Sequence, residues 1–159
     1  MAGAQGRLII VCGLPGSGKT TTSKVLAERL GASRYDPDEW LTALSLDLYD
    51  EPRRAAIEAM QWQAAREILA LGGTAIIEWG TWGRSERDTL RLGARALGAA
   101  VELIYLKASP DTLFDRIQQR NRESPPITHE MVEGWRATFQ APTPEELALY
   151  DRPTEGTLS

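Results

Sequence analysis

Lys19 and Thr20 close the octapeptide Gly13-Leu14-Pro15-Gly16-Ser17-Gly18-Lys19-Thr20, which has the spacing G-x-x-x-x-G-K-T. Glycines in such a loop let the backbone wrap closely around phosphate oxygens, and a helix beginning at its end aims free N–H groups and its positive pole at them. Gly13, Pro15, Gly16, Ser17, Gly18, Lys19, Thr20 and Thr21 are therefore the expected nucleotide-binding residues. Lys19 is expected to reach the β- and γ-phosphates, and Thr20 to offer its hydroxyl to Mg²⁺. The motif indicates a nucleoside triphosphate site without fixing the reaction, because switches, motors and kinases share it.

Carboxylates downstream bear on the reaction. Phosphoryl transfer to a hydroxyl needs the acceptor held in line with the γ-phosphate and a base for its proton. Asp36 and Asp38 follow a short strand-like run, where ligand residues of an open α/β sheet collect. Asp36 is accounted for as a helix cap, so Asp38 is the preferred base and Asp36 the alternative. Glu78 ends another apolar run, placed either to orient the water shell of Mg²⁺ or to touch the acceptor. Arg116 and Arg120 stand four apart on one helix, a repulsive spacing unless an anion is shared, and ATP phosphates would be that anion. Trp79 and Trp82 beside Gly80 and Gly83 have the character of pocket walls, and Trp62 that of a packing residue on an amphipathic helix. Acids and tryptophans concentrated in this half suit a polyhydroxylated or cationic acceptor better than a polyanion. Arg84 and Arg87 carry no assignment, and His129 stands alone.

These residues need a scaffold, and the apolar pattern supplies one. RLIIVC at 7–12 reads as a buried strand, followed by the glycine loop and a helix over 19–30 that ends at Gly31. Strands are expected at 33–35, 74–78 and 101–106. Helices are expected from Asp36-Pro37, over 52–71 with Ile57, Met60, Ala64, Ile68 and Leu71 inward, over 85–97, from Ser109-Pro110 to about 119, and over 128–139. A short last helix opens at Thr143-Pro144. Asp36 with Glu39, and Thr143 with Glu146, have capping-box spacing. Strands alternating with helices argue for a parallel sheet with right-handed crossovers. The expected fold is a three-layer α/β/α arrangement of the P-loop NTPase type, one domain over 1–159 with a loose tail from Asp151.

With 159 residues, 42% hydrophobic and 25% charged, the chain excludes collagen, disordered and coiled-coil classes. Cys12 is the single cysteine, which removes an internal disulfide and zinc-ligand spacing and fits a reducing compartment. No apolar run approaches the ~20 residues that span a bilayer, and Met1–Gly6 lacks signal-peptide character, so a cytoplasmic protein without membrane partners is expected. A net charge of −4 argues against general affinity for nucleic acid without excluding a local groove. Oligomeric state has no signal.

From Leu8 to about Leu147 the chain resembles the small P-loop kinases of the polynucleotide kinase, zeta toxin and chloramphenicol phosphotransferase group, often described as AAA-family ATP-binding proteins. The glycine loop, the Asp-x-Asp of Asp36 and Asp38, and the stretch from Arg116 through Arg120 to Pro126-Ile127 carry the resemblance. It implies ATP and Mg²⁺ as cofactors, Asp38 as general base, an arginine-bearing lid in which Arg116 and Arg120 clasp ATP phosphates with Arg122 nearby, and an adenine-side wall around 142–146. Polynucleotide kinases carry an arginine three residues after the base, where this chain has Leu41, and the usual strand-end Asp is here Glu78. The expected activity is transfer of the γ-phosphate of Mg·ATP to a hydroxyl of a small molecule such as a sugar or antibiotic. A nucleic-acid or nucleoside 5′-hydroxyl kinase is the alternative, and an ATP-binding switch without phosphotransfer is the alternative of another class.

Overall fold

The computed structural model describes residues 4–120 and 127–153. Four strands, β1 (Arg7–Cys12), β2 (Ser33–Tyr35), β3 (Thr74–Gly80) and β4 (Ala100–Tyr105), form one parallel sheet in the order β2-β3-β1-β4. The helices are α1 (Lys19–Leu30), α2 (Pro37–Ala43), α3 (Glu51–Ala70), α4 (Arg84–Ala96), α5 (Pro110–Arg120), α6 (His129–Thr138) and α7 (Pro144–Leu147).

Central β1 is apolar at every position after Arg7 because both of its faces are covered. Leu8 and Ile10 point to one side and pack with Ala65 and Leu69 of α3 and Leu90 and Ala94 of α4. Ile9 and Val11 point to the other and meet Leu26 of α1. Three layers result. A separate cluster of Leu14, Leu113, Ile117, Ile127 and Val132 seats α5 and α6 against the glycine loop. Truncating a fully buried residue such as Ile77 to alanine would cost about 2–5 kcal/mol.

Residue pairing sets where the strands end. Ile10 lies opposite Ile77, but Cys12 lies opposite Gly80, a slip between the two pairs. The amide of Gly13 then donates to Gly80 O at 3.2 Å, which binds the start of the glycine loop to the end of β3. Gly31 ends α1 in the left-handed region at φ 62°. Asp36, Asp50, Thr128 and Thr143 cap α2, α3, α6 and α7 with their side chains.

Three sequence expectations need correction. The inward face of α3 runs through Ile57, Gln61, Ala65 and Leu69, while Met60 and Leu71 are 60% and 85% exposed. Neither capping box closes, because Glu39 turns to Arg34 and Glu146 to Arg87, ion pairs that outweigh a bond to the cap's own amide. Glu146 is therefore 1% exposed and faces inward. Asp151, expected in a loose tail, is held by Arg95 at 2.6 Å and by the amide of Val101 at 2.8 Å. Residues 154–159 and Arg122 lie outside the described residues.

Candidate active site

The glycine loop makes its turn through Gly16 and Gly18, at φ 84° and 98°. A Cβ on Gly16 would stand 2.7 Å from Leu113 O, so α5 approaches too closely for any side chain there. Gly18 caps α1 without a side-chain bond, which leaves the N–H groups of the first turn, Lys19 to Thr21, directed out of the helix start. Lys19 Nζ donates to Leu14 O at 3.0 Å across the loop. Burial lowers its pKa to about 8, with Glu78 and Asp38 opposing that shift. Ser17 is 7% exposed and its Oγ has no hydrogen-bond partner among the described residues.

α5 brings both predicted arginines to this loop. Arg116 Nη1 donates to Gly16 O at 3.1 Å. Arg120, one turn on, lines the cavity beside Lys19 and lowers that lysine's pKa by charge.

Glu78 is the hinge between loop and sheet. At 4% exposure it accepts from Thr20 Oγ1 at 2.6 Å, from Ser23 Oγ, and from Arg34 Nη1 at 2.8 Å. Ser23 and Arg34 carried no sequence signal, because both reach the carboxylate from elements remote in the chain. Arg34 also pairs with Glu39 and lies 3.9 Å from Asp36. Asp36 caps α2 through the amide of Asp38 at 2.9 Å. Burial pushes the Asp36 carboxyl up to about 7, and the charges of Glu78 and Asp38 push the same way.

Asp38 is the second residue of α2, and its Oδ1 lies 2.5 Å from Arg54 Nη2 of α3. Arg54 also donates to Leu48 O at 2.9 Å. Sixteen residues separate Arg54 from Asp38, so only the packing of α3 on α2 brings them together.

One cavity of about 810 Å³ gathers these groups. Pro15, Lys19, Thr20, Asp36, Asp38, Glu78 and Arg120 line it with Trp79 and Trp82. Trp79 is fixed by its Nε1 donating to Gln61 Oε1 at 2.8 Å. Trp82 packs edge-on against Trp135 and Phe139, ring centroids 6.2 and 6.4 Å away. Trp62 stays outside as a packing residue against Gly93 of α4, where a Cβ would meet its ring at 2.7 Å. Six carboxylates line the cavity (Asp36, Asp38, Glu51, Glu58, Glu78 and Glu86) against three cations, Lys19, Arg54 and Arg120. Burial raises Glu58 to about 7; Arg54 opposes the shift, and Glu86, Glu51 and Asp38 add to it.

The donor set fits Mg²⁺ held with a nucleotide better than a metal held by protein alone. Among the described residues no cluster of three or more His, Cys, Asp or Glu forms a cage. A Thr20 hydroxyl against the Glu78 carboxylate is the hard-oxygen pair that a hydrated Mg²⁺ on phosphate uses. Among the described residues no helix is long and apolar enough to cross a membrane.

Comparison with known proteins places this geometry in context. The AAA domain family matches residues 8–142. A protein of Schizosaccharomyces pombe named "Probable gluconokinase" is 29% identical over 148 residues, spanning 87% of this chain and 75% of its own length. A shikimate kinase of Symbiobacterium thermophilum is 31% identical over 130 residues, spanning 75% of this chain and 68% of its own. Among solved structures, a gluconokinase from Sinorhizobium meliloti superposes with a TM-score of 0.60 at 23% identity, over 90% of this chain and 78% of that one, a likeness of fold.

Proposed function

The chain belongs to the AAA domain family and is a P-loop kinase, an ATP-dependent phosphotransferase with an alcohol group as acceptor, and from that premise we propose that its acceptor is a polyhydroxylated or cationic small molecule. The observation that carries this reading is the shared cavity, whose lining holds Lys19 and Thr20 together with Asp38, Trp79 and Trp82. In this reading Asp38 accepts the proton of the acceptor hydroxyl as the hydroxyl oxygen bonds to the γ-phosphorus and the bond to the β-phosphate oxygen breaks. Arg54 holds Asp38 in place. Lys19 and the amides of the α1 N-terminus offset phosphate charge, and Arg116 and Arg120 close over the phosphates from α5. Mg²⁺ would be held through Thr20, with Glu78 orienting its water shell, and would supply neutralisation of the phosphate oxygens.

Charge supports the choice of acceptor. Beyond the phosphate-binding Lys19 and Arg120, the cavity offers one cation, Arg54, against six carboxyl groups, two of them (Asp36 and Glu58) with a pKa raised to about 7, a lining that suits hydroxyls or an amine better than a polyanionic acceptor. The relatives named gluconokinase and shikimate kinase act, by their names, on polyhydroxylated compounds. Leu41, at the position where polynucleotide kinases carry an arginine, is fully buried in α2 and presents nothing to a nucleic-acid phosphate.

The test is incubation with Mg·ATP and pooled sugars, sugar acids, aminoglycosides, nucleosides and 5′-hydroxyl oligonucleotides, followed by mass spectrometry for a product heavier by one phosphoryl group. A phosphorylated sugar or amino sugar is the expected result. A phosphorylated oligonucleotide alone would overturn the reading.

A further inference from the structure

Arg87 is the largest fully buried side chain of the described residues, with 0% exposure, and phosphate chemistry has no use for it there. Its Nε and Nη2 donate to the two carboxylate oxygens of Glu146 at 2.6 and 2.8 Å. Its other contacts are Nη1 to Thr81 O at 2.7 Å and to Cys12 Sγ at 3.9 Å, and Nη2 to Gln140 O at 2.7 Å. One guanidinium thus joins α4, α7, the segment after β3 and the segment after α6.

Thr81 is the unusual member. It has φ 47°, directly after Gly80 at φ 89°. A β-branched residue in the left-handed region is strained and persists only where its surroundings over-determine it. Arg87 supplies that determination, by locking the Thr81 carbonyl in the direction the turn requires. The turn in turn sets Trp82 into the cavity wall. Trp82 O accepts from the amide of Gln140 at 2.9 Å, and Gln140 Oε1 accepts from the amide of Arg84 at 2.9 Å. Thr81, Trp82, Gly83, Thr138 and Gln140 all line the cavity that holds Asp38.

We propose that Arg87, paired with Glu146, is a positioning residue: it fixes the 80–83 turn as the acceptor wall and binds that wall to the 138–146 segment. The inference rests on the proposed function only in taking this cavity as the acceptor site. The phosphate cradle has contacts of its own, those of Leu14 with Lys19 and of Gly16 with Arg116, and joins the turn through the Gly13 amide on Gly80 O and Cys12 Sγ on Thr81 O, so the larger effect falls on the acceptor side.

The experiment is hydrogen–deuterium exchange on the full chain, which needs no acceptor and is independent of substrate identity. Arg87→Lys keeps a charge but lacks the fork that reaches carboxylate and carbonyls together. Arg87→Met with Glu146→Leu removes the buried charges as a pair, a replacement cores tolerate, and remains informative if Arg87→Lys alone does not fold. Each variant is measured at a fixed interval below its own Tm, which cancels a general loss of stability. Exchange in peptides spanning 79–86 and 138–143 is expected to rise about tenfold or more, while peptides spanning 13–22 and the Kd for a fluorescent ATP analogue stay within about twofold. Unchanged exchange at 79–86 in a folded variant, or a rise spread evenly over every strand, would overturn the proposal and leave Arg87 a stability residue only.

Discussion

Asp38 Oδ1 and Arg54 Nη2 lie 2.5 Å apart, joining α2 to the long helix α3 that follows it. Arg54 is in turn anchored on Leu48 O, so the carboxylate facing the cavity is held by a side chain that is itself held. Arg54→Ala is expected to lower kcat by about 10²-fold, the effect of a catalytic group displaced by roughly 1 Å, and to leave the Kd for ATP unchanged. Steady-state kinetics with the acceptor found in the panel, beside calorimetric titration with ATP, measure both. A kcat within twofold or so of wild type would mean that Asp38 needs no such support.

Lys19 carries a pH dependence. Its folded pKa of about 8 lies below the unfolded value of 10.5, so the unfolded chain binds more protons between those values and stability rises with pH across that window. ATP binding favours the ammonium form and must draw a proton from solution above pH 8. Calorimetry at pH 9 in buffers of different ionisation enthalpy should show that uptake, and Lys19→Ala should abolish both the uptake and turnover. Equal heats in all buffers would contradict the assignment.

Asp36 behaves oppositely. Its carboxyl is raised from 3.8 to about 7, so the folded state binds the extra proton and stability contributed by this group falls as pH rises through that range. Asp36→Asn retains a capping oxygen and removes the buried charge. Its Tm relative to wild type is expected to be higher by about 2–4 °C at pH 8 and to lose that advantage at pH 5. Melting curves at the two pH values decide it.

Glu78 accepts from three donors in a nearly closed environment. Glu78→Gln sets an amide N–H₂ against hydroxyls and leaves Arg34 short of a partner, at a cost of about 3–5 kcal/mol for breaking a buried pair. Denaturant unfolding at pH 7.5 measures this directly. A loss below about 1 kcal/mol would show that the carboxylate serves the metal side rather than the fold.

The strands, the glycine loop and the positions of Asp36, Asp38 and Glu78 at strand ends are legible in the sequence because each has a local signature: β-branched runs, glycines at fixed spacing, carboxylates after a strand. It misplaced the buried face of α3 by one position because Gln61 does not look like a core residue. Gln61 is buried to accept from Trp79, a partner eighteen residues away. Glu39 and Glu146 were misread for a related reason, since a capping box is a local option that Arg34 and Arg87 displaced. Arg54 and Arg87 could not have been assigned from spacing, because each is defined by partners that only the fold assembles.

The central claim is that Asp38 accepts the proton of the acceptor hydroxyl, and Asp38→Asn tests it most directly. Pre-steady-state transfer from radiolabelled ATP to the identified acceptor should slow by a factor of roughly 10² to 10⁴, with the Kd for ATP unchanged. Transfer at the wild-type rate would contradict the claim and move the role to Asp36 or to solvent.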